Sequence, residues 1–529
     1  MTREASPRGE QAAVALPFLI ALVPAAVATW PPLMDFPNHL ARIGLLAGGA
    51  DVAPLSEIYR VDYSKAYGNL GLDLAAAALA RWLPLAMVGQ ILAGLMTVGP
   101  ALGGLALNVR LTGRLHAGQI ALLAVAFSTT AVAGFIAFQI SLAAALALAA
   151  IRPARPFLFD ALACALLLSL HPLGLSFYVL IGAALSFGAR WTGGLRLALV
   201  ARASARLAAA AAVPVLARRL LLPSAPGASG EGPVWGDVHN LGDPVHILTI
   251  LFSPVLSYDL VADLMAALPV AALVALALAR GWLRLHAGLA LAGAALWIVS
   301  PVLPDAFGDG SWLAHRFPLQ AALLLGAALR PGELAREKLA YALGLVVAAR
   351  ALWIAGVWSA RQSDVVDLAA ALESVAPGAS VITLQQEPRD WRLAPTGRFM
   401  IGSPNGMRAT RRHMAGFVVA TRRAFVPTLF AVPGQHPLSL APGWRLPAVT
   451  ASAIPYPRQL GEISASDPYL GDWRAFDYVL VLNADLAAAS SFAPQVSGGL
   501  ESVADRGFAH LYRVRAPGAE SPAANSPNK

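Results

Sequence analysis

The sequence predicts a multi-pass α-helical membrane protein of about eleven transmembrane helices, followed by a soluble C-terminal α/β domain. Three observations predict it. The composition is 57% hydrophobic and only 13% charged, with a mean hydropathy of +0.61, which is membrane-like. Long apolar runs fill the first 360 residues, among them Ala12–Trp30, Ile120–Ile151, Pro156–Phe187, Leu260–Ala279 and Leu339–Trp358. After Trp358 the pattern changes to short mixed segments with Pro/Gly turns. The organisation expected is a membrane part over 1–360 with its first external loop at 31–73. An α/β domain over 361–517 and a disordered tail over 518–529 follow.

Ala12–Trp30 is the first span. Ala26-Val27-Ala28 resembles a signal cleavage site, but Arg3 and Arg8 are offset by Glu4 and Glu10, so the run reads as a retained anchor. Leu72–Leu107 is too long for one crossing and reads as a short helix, Leu72–Leu83, followed by a span. His171-Pro172 separates two apolar stretches and reads as a turn. Arginines gather in short loops: Arg110/Arg114, Arg152/Arg155, Arg190/Arg196/Arg202, Arg280/Arg284 and Arg330/Arg336. Such an excess marks the cytoplasmic side, which puts the N-terminus inside and the C-terminal domain outside, as in a bacterial inner membrane. Loop arginine accounts for most of the net charge of +9, so basicity is no sign of nucleic acid. Cys164 is the only cysteine, which excludes a disulfide within the chain. No Gly-rich phosphate loop is present.

In the C-terminal domain, Val365–Val375 reads as helix and Ser380–Leu384, Phe417–Ala420 and Tyr478–Leu482 as strands. Leu500–Asp505 then reads as a helix and Ala509–Val514 as a closing strand. Arg411-Arg412-His413, Arg422-Arg423 and Gln435-His436-Pro437 read as domain surface, with acceptor or anionic-lipid contact as the alternative.

Polar chemistry in the membrane part is crowded into the loops Pro31–Asp73, Pro223–Asp243 and Pro301–Arg316. In the first, Pro37 suits the first turn of a helix and Asp35 stands at its N-cap. His39 and Arg42 would follow near the helix entry and bring an imidazole and a guanidinium to the same region as the carboxylate. The plain alternative is a cap, a headgroup-level histidine and a snorkelling arginine. Arg316 begins a late span, where its fork of donors suits a lipid phosphate, or where it serves as an anchor beside Trp312. Arg218 and Arg219 have the same two readings.

A first span followed at once by an external loop with an acidic residue, further spans and a C-terminal external domain resembles the GT-C superfamily of membrane glycosyltransferases. The likeness is nearest to bacterial lipid A aminoarabinose transferases and protein mannosyltransferases. It covers residues 12–358 in architecture and is close at residue level only around Asp35. It implies a polyprenyl-phosphate-linked sugar donor, a cell-envelope acceptor, Asp35 as the essential acid, and Arg316 as the late-loop cation on the donor phosphate. Asp35 has no acidic neighbour before Asp51, a departure that leaves metal dependence open. Arg42, His39, Arg218 and Arg219 are the further candidates for the phosphate. Asp237, His239, Asp305, Asp309 and His315 are those for supporting the site or meeting the acceptor. No cofactor is singled out; a divalent metal on Asp35, His39 and His239 is an open possibility, although the spacing matches no tight zinc signature. The rival readings are a lipid or solute transporter, or flippase, and a non-catalytic scaffold. The spans look nearly empty of ionisable groups, with Asp160, Asp259 and Asp263 near predicted ends, which argues against ion-coupled transport.

Overall fold

A computed structural model describes residues 7–64, 70–154, 156–191, 197–221, 243–304, 312–332, 337–386, 410–429, 436–446, 454–462, 472–486, 496 and 498–515. The chain forms two compact units. The first comprises Met1–Phe36, Tyr63–Ala360 and Arg392–Thr410, and the second Pro37–Asp62, Arg361–Trp391 and Arg411–Lys529.

Helices dominate the first unit, but the expected eleven crossings are not what the described residues build. Five helices are long and apolar enough to cross a membrane: Leu85–Thr112, Pro172–Ala189, Leu197–Leu221, Leu260–Ala279 and Lys338–Ala371. Gln11–Val27, Leu70–Ala80, Ile136–Ile151, Phe157–Leu170 and Ala287–Val302 are apolar but shorter. The overcount has a physical cause, since hydropathy does not register breaks in the backbone. The Ile120–Ile151 run holds most of a 3-10 stretch (Ala117–Val125), a single turn capped by Ser128 (Thr129–Val132) and a helix only from Ile136. Gly134, at φ +85°, makes the bend between the last two. Pro156–Phe187 divides at His171, as expected, into Phe157–Leu170 and Pro172–Trp191, but the first of these is too short to count as a crossing. Leu70–Ala80 and Leu85–Thr112 are divided at Pro84, as the length of that run required.

Even a short helix here is two-faced in the manner of a lipid-exposed one. On Phe157–Leu170, Leu158, Leu162 and Leu166 are 71%, 63% and 49% exposed at four-residue spacing. Asp160, Ala163, Cys164 and Leu167 on the other face are buried. A stripe of bare leucines is unfavourable in water and suits hydrocarbon.

One buried cation escaped the sequence reading. Arg350, near the middle of the Glu337–Ala360 helix, is buried and meets Asp263 Oδ1 at 2.9 Å. It also donates to the carbonyls of Ala124 (2.6 Å) and Val255 (2.6 Å). The other oxygen of Asp263 accepts from the backbone N–H of Ser257. One guanidinium therefore ties the end of the 3-10 stretch and the turn before Leu260 to a long helix. Close by, Trp358 Nε1 donates to Tyr258 Oη (2.9 Å), which donates to the Pro32 carbonyl (2.9 Å).

The second unit carries a four-stranded sheet in the order Val381–Gln385, Tyr478–Leu482, Ala509–Val514, Leu500–Arg506. The first pair is parallel, with Thr383 opposite Leu480, and the others are antiparallel. The two parallel strands are buried along their whole length; Tyr478–Leu482 is an unbroken apolar run, while Val381–Gln385 also buries Thr383 and Gln385. Two expectations are corrected. Leu500–Asp505 is not helical but is the first arm of a hairpin, because Gly507 at φ +59° turns the chain back onto Ala509–Val514. Phe417–Ala420 belongs to a helix, Gly416–Arg422, that ends with Arg423 in the left-handed region. A four-residue apolar run carries too little periodicity to separate the two states. Gly416 is needed there, since a Cβ would stand 2.6 Å from the Pro37 carbonyl.

Arg411 and His413 are not surface residues of this unit. Buried Arg411 pairs with Asp364 (2.9 Å), reaches Asn483 Oδ1 (3.1 Å) and lies over the Phe508 ring. Arg422 donates to the carbonyls of Glu373 and Val375.

Candidate functional site

In the first unit, the bend between the Thr129–Val132 turn and the Ile136–Ile151 helix gathers the residues of interest. Asp35 directly precedes the Phe36–Leu46 helix, and its own backbone N–H donates to the Ala133 carbonyl (3.1 Å). Met34 N–H donates to the Val132 carbonyl (2.9 Å). Gly134 is required beside it, since a Cβ there would lie 2.9 Å from the Asp35 nitrogen. The Asp35 segment is thus hung on this bend and, through Pro32, on Tyr258.

Phe135, next along, carries Arg316 on its face, with Cζ 4.4 Å from the ring centroid. Phe138 supplies a second face at 5.3 Å. A guanidinium between two rings keeps its charge while its flat faces are shielded from water. Trp312 packs edge-on against Phe135 (5.7 Å), His315 lies tilted against Trp312 (5.5 Å), and His246 packs edge-on against His315 (5.6 Å). Asp243 caps the Pro244–Phe252 helix that carries His246, and Ser253 Oγ donates to the His315 carbonyl (3.2 Å).

His171 completes the group. Arg316 Nη1 lies 3.0 Å from its Nε2, and the backbone N–H of Leu173 lies 3.1 Å from its Nδ1. Burial and the Arg316 charge push its pKa down to about 3, so the ring is neutral near pH 7. A neutral imidazole has one N–H and one lone pair, yet both neighbours are donors. One of the two donors must therefore face an N–H; where Nδ1 accepts from Leu173, that one is Arg316, and two donors converge at Nε2. A phosphate oxygen would accept from both. His116 shows the contrasting, fully matched case. Its Nδ1 accepts from Gly118 N–H (3.2 Å) and its Nε2 faces the Asn108 amide oxygen (2.9 Å).

Of the residues singled out from the sequence, the first unit brings Asp35, Arg316 and His315 to one bend and adds His171, which the sequence marked only as a turn. A His-Pro break between apolar runs was the available signal. His39 and Arg42 belong to the second unit, where Arg42 Nη2 donates to His39 Nδ1 (3.1 Å). Burial, Arg42 and His413 hold His39 well below the usual histidine range, and burial, Arg42 and His39 do the same for His436. Arg218 and Arg219 end the Leu197–Leu221 helix, Arg219 exposed and Arg218 partly so. Asp237, His239, Asp305 and Asp309 lie outside the described residues. Among the described residues no three His, Cys, Asp or Glu side chains are placed to share a metal ion.

No family model, curated protein or solved structure matches the chain.

Proposed function

We propose that the protein is an integral membrane glycosyltransferase that moves a sugar from a polyprenyl-phosphate donor to an extracytoplasmic acceptor, whether lipid, glycan or protein. The observation that carries this reading is the shared bend: Asp35 is bonded to Ala133, and Arg316 rests on Phe135, two residues along. A carboxylate segment and an aromatic-backed cation then serve one reaction at the end of apolar helices, where a prenyl phosphate would present its head. The reading places this end outside the cytoplasm of a bacterial inner membrane, with the loop arginines inside.

The chemistry asks for little. Asp35 takes the proton of the acceptor hydroxyl, the acceptor oxygen bonds to the anomeric carbon, and the bond from that carbon to the phosphate oxygen breaks. The departing phosphate is held by Arg316 and by the Nε2–H of His171. No nucleotide is consumed, because the donor is already activated. Membranes containing the Asp35→Asn variant, assayed with a polyprenyl-phosphate sugar, test the reading. Near-normal transfer by folded variant would return Asp35 to the role of a cap.

A lipid flippase is the second reading, favoured by the Arg350–Asp263 pair buried among apolar helices. Arg350 is also bonded to two fixed backbone carbonyls, however, which suits a brace better than a moving charge.

A further inference from the structure

The first unit has a second concentration of cations, at the opposite ends of the same helices. A cavity of about 700 Å³ opens there, lined by Arg110, Arg152, Arg330 and His286 and walled by apolar residues that include Leu107 and Leu185. Its position follows from the chain. The Ile136–Ile151, Phe157–Leu170, Pro172–Trp191 and Leu313–Ala328 helices each have one end near Phe138, His171 or Arg316 and the other near this cavity. The antiparallel pairing of Leu283–Leu285 with Leu329–Pro331 holds His286 and Arg330 together at its rim.

Among the described residues the charges do not cancel. Arg152 is engaged, donating to Asp160 through Nε (2.7 Å) and Nη2 (2.5 Å) while Tyr178 donates to the same carboxylate (2.6 Å). Arg110 is exposed, and Arg330 has a buried Nε that no described group accepts from. No Asp or Glu is among the described residues lining the cavity. His286 adds a donor rather than a charge. Its Nδ1 accepts from Leu289 N–H (3.3 Å), which leaves the ring proton on Nε2, and burial with the Arg330 charge keeps the ring neutral.

We propose that this cavity binds the phosphate of an anionic lipid, with the headgroup between Arg110 and Arg330 and the first acyl carbons against Leu107 and Leu185. Guanidinium forks match phosphate oxygens, and basic pockets between membrane helices are where anionic headgroups lodge. Apolar walls beside the cations select an amphiphile over a free anion. The site stands independently of the transfer chemistry proposed for the other end.

The full chain, purified in detergent, is titrated with phosphatidylglycerol, phosphatidylcholine or inorganic phosphate, and bound lipid is read by native mass spectrometry. Phosphatidylglycerol is expected to bind about tenfold more tightly than phosphatidylcholine, and Arg330→Gln to remove that preference while leaving the neutral lipid unchanged. Arg330→Lys should keep part of it, since charge remains and the fork is lost. Arg110→Gln, at an exposed position, gives the same reading should Arg330→Gln fail to fold. Equal binding of the two lipids, or a preference untouched by both glutamine variants, overturns the proposal. So does displacement of phosphatidylglycerol by millimolar inorganic phosphate, which assigns the site to a free anion.

Discussion

The two ends of the helices in the first unit carry similar residues in different settings. At the His171–Arg316 end, the cation is clasped between aromatic faces and a neutral imidazole, and the Asp35 segment is bonded into the same bend. At the Arg330 end, arginines surround open space, and the acid nearby among the described residues, Asp160, is held by Arg152 and Tyr178. An aromatic clasp fixes a guanidinium in one place, which suits holding a leaving group through a reaction. An open basic cavity tolerates a ligand that moves, which suits a headgroup. The lesson is that arginine at a helix end has no single meaning; what surrounds its planar faces and its fork decides.

The sharpest way to break this contrast is Asp35→Asn. Asparagine caps as well as aspartate does, so folding and insertion should persist, while loss of a positioned base costs about 10²–10⁴ in rate. Sugar transfer measured on folded variant checks it, and the equivalent change at the far end, Arg110→Gln, should leave transfer intact.

Next in size is Arg350→Met, which strands the Asp263 carboxylate in the interior. Removing one partner of a buried pair costs about 3–5 kcal/mol. A large fall in melting temperature is expected, and an unchanged one would show that the brace is dispensable. Arg350→Met with Asp263→Asn should recover part of the loss, since no unpaired charge is left buried.

Arg316→Ala should raise the donor KM about tenfold, the worth of a charge-assisted hydrogen bond, with Arg316→Lys intermediate. Equal donor dependence in wild type and both variants would make Arg316 an interface anchor, and the two ends would then differ in packing alone.

The most gradual effect is in pH. His171 is held neutral in the fold, with its pKa pushed down to about 3, whereas the unfolded chain takes up the proton near pH 6.5. Stability is therefore fully present above pH 6.5 and falls as pH drops towards 3, by up to about 1.4 kcal/mol per pH unit from this residue. Melting temperatures between pH 7 and 5 should fall less steeply in His171→Asn. His413 in the second unit, pushed down to about 3 by burial and Arg412, tilts the curve the same way, and with His39 and His436 it contributes to the remaining slope.

What was legible in the sequence was local. Pro84, His171-Pro172 and the unbroken Tyr478–Leu482 run each mark their own structure, because a missing N–H or a continuous apolar strand acts within a few residues. The apolar helices, the strand Ala509–Val514 and a helix starting beside Asp35 were legible for the same reason. The rest depended on partners far away. Arg350 meets Asp263 across 87 positions, and Arg316 meets His171 across 145, so neither could be told from a snorkelling side chain. The count of crossings failed because Ala117–Val125 is as apolar as a span but is wound as a 3-10 stretch.

The length of the Phe157–Leu170 helix has a consequence for the surrounding bilayer. Its 14 residues rise about 21 Å, against about 30 Å of hydrocarbon. Wherever this helix crosses a bilayer, with Leu158, Leu162 and Leu166 turned outward, the neighbouring lipids would have to compress to match it or leave its ends uncovered. A bilayer pinched at this point brings both of its polar surfaces inward, towards Arg152 at one end and His171 at the other. A lipid phosphate beside this helix would then start several ångströms closer to Arg152 at one end, or to Arg316 beside His171 at the other, than one in the undisturbed membrane.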